Sequence, residues 1–172
     1  MNWPVRAESS LAVGIAAVYQ YSVAVLVTLV VAPTAYVLAS LGLYRAAYSQ
    51  VRAFAWAVHA FTGVRSRAQG LEKVPTSGPY VVISNHNSHL DAPALIRNLP
   101  HPVYFIIKRE LARIPIWGNA AVKLGFIAVD RGRNERARAQ MRQAIETVRS
   151  GRRILVFAEG TRSEDGHLQA FK

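Results

Sequence analysis

Tyr80-Val81-Val82-Ile83-Ser84-Asn85-His86-Asn87-Ser88-His89-Leu90-Asp91 is the stretch on which the fold turns. Its first five residues form a short, nearly continuous apolar run, the signature of a strand buried on both faces, and the polar remainder begins where that strand must end. Three further runs have the same texture: Val103–Ile107, Phe126–Val129 and Ile154–Phe157. Between the last two, Asn134–Ser150 reads as a helix. Asn134 caps it, Ala137, Met141, Ala144, Ile145 and Val148 form an apolar stripe, and Gly151 stops it. Its other side carries Arg136, Arg138, Arg142 and Arg149. Strands alternating with helices at these spacings predict an α/β fold, a mostly parallel sheet flanked by helices. Functional residues in such a fold gather at the carboxyl ends of the strands.

Three constellations occupy those ends. After the first strand come His86, His89 and Asp91. Five residues of separation place His86 and Asp91 on different sides of a continuous helix but let them meet across a turn. An Asp that accepts from one ring nitrogen fixes the tautomer and frees the other nitrogen as a base, a division of labour known from hydrolase triads, here without a serine. As a bare pattern the pair is equally a structural hydrogen bond, and His89 reads as structural. Two histidines three apart with a carboxylate could ligate zinc, yet no neighbouring acid or histidine completes a shell, so no metal is expected.

The second constellation is Gly125–Arg131, a strand ending in an arginine, and the third is Phe157-Ala158-Glu159-Gly160-Thr161-Arg162-Ser163. Guanidinium groups grip phosphate with paired hydrogen bonds, glycine admits close backbone approach, and the hydroxyls add donors. Together these residues describe an anion pocket. Glu159 is the anomaly, because a carboxylate there repels phosphate unless an arginine or a substrate hydroxyl pairs with it.

The chain has 172 residues, room for one domain with an appendage, and its composition is 51% hydrophobic and 18% charged, which excludes disorder. Residues 1–44 hold only Arg6 and Glu8, so 20 of the 21 basic residues and 9 of the 10 acidic ones lie beyond Tyr44. A basic globule behind an uncharged segment seeks an anionic surface: nucleic acid, acidic lipid or a phosphorylated substrate. There is no cysteine, which removes thiolate nucleophiles and disulfide frameworks. Crossing roughly 30 Å of hydrocarbon takes ~20 residues, and residues 10–32 suffice for one span. Pro33 is expected to end or kink that helix, with a second one starting at Thr34. There Arg45, Arg52 and His59 recur every seven residues, a stripe suited to a helix at a membrane interface. Either a single span or a two-helix hairpin in one leaflet fits, and the basic residues place the chain beyond Tyr44 on the cytoplasmic side.

The blocks Asn85-His86 through Asp91 (His-x4-Asp), Gly125 through Arg131 and Phe157 through Ser163, in this order and each at a strand end, resemble the glycerolipid acyltransferase family. The linking residues Lys108-Arg109-Glu110-Leu111 and Ile114-Pro115-Ile116-Trp117-Gly118 resemble it too, and the likeness runs from about Gly70 to Lys172. It implies a two-helix membrane motif over residues 1–62 and a catalytic domain over 63–172. It implies that His86 is the base, Asp91 its orienting partner, and that Arg131, Glu159, Gly160, Thr161 and Arg162 bind the acceptor's glycerol phosphate. The implied reaction moves an acyl group from coenzyme A or acyl carrier protein to 1-acyl-glycerol-3-phosphate, giving phosphatidic acid. Membrane lipids, the lysophospholipid and the thioester are the implied partners, with no other cofactor and no nucleic acid. The implied setting is the cytoplasmic face of a membrane, read as a bacterial inner membrane.

Two other readings stand beside it. The acceptor could be another lysolipid, such as a lyso-aminolipid, or the chain could be a basic membrane or anionic-lipid binder without catalysis. Against the binder, Arg131, Arg133, Arg136, Arg138 and Arg142 are not interleaved with stacking aromatics. Family members continue past the third block, so the chain reads as truncated, with an open sheet edge and an incomplete apolar wall.

Overall fold

The computed structural model describes residues 10–130, 135–163 and 165–171. Helix α1 (Ser10–Ser40) runs straight through Pro33. The proline ring removes one backbone donor, that to the Leu29 carbonyl, yet the helix continues unbroken, and the Thr34 hydroxyl donates to the Val30 and Val31 carbonyls beside it. The chain turns instead at Gly42, whose φ of 76° is left-handed. There the Leu43 N–H reaches back to the Leu38 carbonyl and the Gly42 N–H to that of Ala39, a Schellman end. Helix α2 (Tyr44–Thr62) then folds back along α1, ten residues later than the proline suggested.

The rest alternates as the apolar runs predict: β1 (Val81–Ser84), α3 (Asp91–Asn98), β2 (Tyr104–Lys108), α4 (Arg109–Ala112), α5 (Trp117–Leu124), β3 (Ile127–Val129), α6 (Glu135–Arg149) and β4 (Ile154–Phe157). All pairings are parallel and the order is β1-β4-β2-β3, so the last strand enters between the first two. Alternation along β2 splits the core. Phe105 and Ile107 join Ala55, Ile96, Leu99, Val103, Ala121 and Leu155 beneath α2, α3 and α5. Ile106 turns the other way, toward Ile127, Val129, Ala144 and Ile154 beneath α6.

Three expectations are corrected. First, β1 is not buried on both faces: Val81 is 49% and Ile83 65% exposed, because β1 is an edge strand and α6 packs at β3, on the far side of the sheet. Second, two of the three residues of the α2 stripe engage the domain, while Arg45 stays exposed. Arg52 donates to the Leu99 carbonyl at 2.6 Å, and His59 is buried with its ring between the Ala55 carbonyl and the Ser66 hydroxyl. The polar groups of α2 therefore hold it to the domain. Third, α6 packs through Gln140, Ala144 and Val148, leaving Met141 and Ile145 exposed.

The α4–α5 corner is tightly built. Ile116 takes φ 66°, ψ −63°, and the Trp117 N–H closes on the Pro115 carbonyl at 2.7 Å, a strained γ-turn for a β-branched residue. Gly118 comes next with no room for a side chain, since a Cβ would collide with the Ala112 carbonyl. Alanine ordinarily favours a helix over glycine. Here Gly118→Ala should instead lower unfolding free energy by about 1–3 kcal/mol through overpacking, measurable by chemical denaturation. An unchanged midpoint would show that the corner gives way.

Candidate active site

Parallel pairing of β1 with β4, in register from Val81 opposite Ile154 to Ser84 opposite Phe157, brings the loops after the two strands together. The Ala158 N–H donates to the Ser84 carbonyl at 3.3 Å, and the Ser163 N–H to that of His86 at 2.7 Å. The first and third constellations thus form one site. Arg131, from the second, lies outside the described residues. Its neighbour Asp130 accepts from Gln140 Nε2 through Oδ2, donates its own N–H to Gln140 Oε1 at 2.6 Å, and has Arg109 Nε 2.9 Å from Oδ1.

At the centre, His86 Nδ1 lies 2.8 Å from Asp91 Oδ2. The same oxygen accepts the backbone N–H groups of Asn87 (2.7 Å) and Ser88 (2.8 Å), so Asp91, opening α3, shapes the turn and orients the imidazole together. A carboxylate facing Nδ1 selects the tautomer with Nδ1–H, leaving the Nε2 lone pair free. Phe157 stacks on the ring, with centroids 3.9 Å apart and planes within 13°, which stops the imidazole from tilting. Phe157 is in turn braced by Phe105 at 6.1 Å. The apolar runs alone do not reveal the ring's contact with Phe157, although the register placing Phe157 beside Ser84 contains the signal.

Glu159 is fully buried, and both of its oxygens accept backbone amides. Oε1 accepts the His86 N–H at 2.8 Å and Oε2 the Gln169 N–H at 3.0 Å. The anomaly of a carboxylate in an anion pocket is thereby resolved, for its charge is spent on two amides. Gly160 turns the backbone at φ 68°. Thr161 and Arg162 are exposed and, with Asn87 and the mostly buried Ser163, line a polar hollow of about 240 Å³. Ser163 Oγ is itself committed to Asp165 at 2.8 Å. A larger recess of about 510 Å³ runs along Leu11, Gly14, Ile15, Val18 and Tyr19 of α1, and its lining is almost wholly apolar.

His89 sits with its ring edge-on to Tyr21 of α1, 5.5 Å between centroids. Partial burial, reinforced by the Arg162 guanidinium, holds its imidazole below the ordinary histidine range. Among the described residues, no three His, Asp or Glu side chains converge as metal ligands.

A family model described as Acyltransferase matches residues 65–172, more than half of the chain. The chain belongs to the acyltransferase family. Human 1-acyl-sn-glycerol-3-phosphate acyltransferase alpha is 38% identical over 111 residues, 64% of this chain and 39% of that one. The 1-acyl-sn-glycerol-3-phosphate acyltransferase of Pseudomonas aeruginosa is 32% identical over 117 residues, 67% of this chain and 45% of that one. The chain thus spans less than half the length of these relatives. The crystal structure of the 1-acyl-sn-glycerophosphate (LPA) acyltransferase PlsC from Thermotoga maritima superposes with TM-score 0.76 at 24% identity, covering 92% of this chain and 65% of that one. That likeness establishes the acyltransferase α/β fold, including its parallel sheet.

Proposed function

We propose that this acyltransferase-family chain moves an acyl group from a thioester of coenzyme A or acyl carrier protein to the free hydroxyl of 1-acyl-glycerol-3-phosphate. The observation that carries the reading is His86 held by Asp91 at 2.8 Å, with Nε2 unclaimed among the described residues. The names its relatives bear supply the acceptor. Nε2 takes the hydroxyl proton as the oxygen attacks the thioester carbonyl. The tetrahedral adduct then collapses, the carbon–sulfur bond breaks, and the imidazolium returns the proton to the departing thiolate. With no cysteine and no Gly-x-Ser-x-Gly elbow, transfer is direct. Incubating the full-length membrane protein with lysophosphatidic acid and a series of acyl thioesters, and monitoring thiol release, tests donor, acceptor and catalysis together. Acceptor-independent or absent thiol release rejects the reading.

For the acceptor's phosphate we assign Arg162 and Thr161 on the hollow, with Arg131 as a further cation. Glu159 and Gly160 serve that pocket by shaping its backbone. Losing a charge-assisted hydrogen bond costs about 1.5–3 kcal/mol, so Arg162→Ala should raise the KM for the lysophospholipid roughly 10–100-fold. The KM for the thioester should stay within about twofold. Equal effects on both substrates would move Arg162 away from the phosphate.

The same reading puts α1 in one leaflet beside the domain. Gly14–Ser40 is long and apolar enough to cross a membrane. Yet Tyr19 donates to the Phe61 carbonyl, Tyr21 touches His89, and Ala32, Ala35 and Ala39 are buried against the protein. A full crossing would draw Arg52 and the end of α3 into hydrocarbon, which costs several kcal/mol per charge.

A further inference from the structure

Outside the site, the least expected surface lies on the catalytic domain at the α4–α5 corner. Leu111, Ile114, Ile116 and Val122 are each 41–49% exposed, although the core beneath the same helices is closed. The γ-turn at Ile116 contributes to this, for it places an isoleucine outside at the very point where the chain is strained. On α5 the exposed positions 116, 119, 122 and 123 share one side, while Gly118, Ala120, Ala121 and Leu124 are buried on the other. Contiguous apolar side chains of this kind on a folded domain mark a contact surface.

We propose that this corner is a second lipid-contact surface, which enters the headgroup layer of an anionic leaflet and fixes the tilt of the catalytic domain on the membrane. Two observations select lipid over another occupant. The first is adjacency: α1 packs along α5, and on α1 itself Leu26, Leu29, Val30 and Val37 are 54–69% exposed, so the corner sits on a helix that flanks the apolar membrane helix. The second is charge. Arg113 and Lys123 are exposed at either end of the patch, and no acidic residue occurs from Leu111 to Leu124. Apolar side chains framed by cations suit an interfacial element on acidic lipid, where each nearby cation adds attraction. The inference rests on the placement of α1 in the membrane, and its test separates the two.

The natural absence of cysteine makes the test direct. Single-cysteine variants of the full chain at Ile116, Val122, Leu26 on α1 and Gln143 on α6 are labelled with a nitrobenzoxadiazole dye. They are then reconstituted in vesicles of equimolar phosphatidylcholine and phosphatidylglycerol carrying brominated acyl chains. The labels at positions 26, 116 and 122 should lose about half of their emission or more, and that at 143 should not, because only side chains at or below the headgroups meet the bromines. Arg113→Gln with Lys123→Gln should weaken quenching at 116 and 122 but not at 26. Quenching at 26 alone would overturn the second contact while leaving the membrane helix in place. No quenching at any position would overturn both. Labels at 116 and 122 that are shielded from aqueous iodide yet untouched by bromolipid would assign the corner to a second copy of the chain.

Discussion

His86→Ala should leave the protein on membranes and lower acyl transfer by about 10²–10⁴-fold, the range that a positioned general base contributes. The reason is geometric. Nδ1 is committed to Asp91, and Phe157 fixes the plane of the ring, so Nε2 alone is available to take a proton. Alanine removes that nitrogen while the Glu159–amide contact, which uses only the backbone of residue 86, persists. The lost stacking on Phe157 costs about 1 kcal/mol, too little to unfold the domain. Vesicle flotation should therefore be unchanged and thiol release nearly absent. Near-normal turnover by this variant in detergent micelles would refute the role. Asp91→Asn is a poorer probe, because the same carboxylate oxygen also holds the Asn87 and Ser88 amides, and the turn would change with the charge.

Glu159→Gln should lower both kcat and thermal stability while leaving the KM for the lysophospholipid within about twofold. A glutamine of equal size accepts one amide through its oxygen but turns an NH2 toward the other, leaving a buried donor unpaired at a cost of about 1–3 kcal/mol. For a chain of this length that corresponds to a drop in Tm of roughly 2–10 °C. Turnover falls because the His86 amide is one of the two groups released, and the turn carrying the base loosens. A raised KM with an unchanged Tm would instead make Glu159 a contact of the acceptor, the role that the family resemblance implies.

Much of this is legible in the residues. Four short apolar runs become four strands within a residue or so, since continuous apolar character over four or five positions suits little else between glycines and polar turns. The meeting of His86 and Asp91 is legible only as one option among several. The turn that realises it depends on a carboxylate oxygen collecting three hydrogen bonds, and one-dimensional spacing does not display that. Pro33 misleads because local propensity ranks proline as a breaker, while in the structure α1 continues through it to Ser40 and packs on α2 and α5. The α2 stripe misleads for another reason. Heptad spacing shows that Arg45, Arg52 and His59 share a side, but not whether that side meets lipid or the Leu99 carbonyl. Glu159 cannot be placed from the sequence at all, because its partners are backbone groups 73 and 10 residues away.

The strand order β1-β4-β2-β3 has a consequence for biosynthesis. As the ribosome delivers the chain, His86 and Asp91 emerge early, yet β1 and β2 have no ladder between them until Ile154–Phe157 arrives some seventy residues after β1. Until then both strands carry unpaired edges, and such pairing across long sequence separation is slow and prone to misassociation. His86 is thus made first and seated last, and a nascent chain paused before β4 holds that imidazole without the aromatic floor or the buried carboxylate that position it in the folded domain.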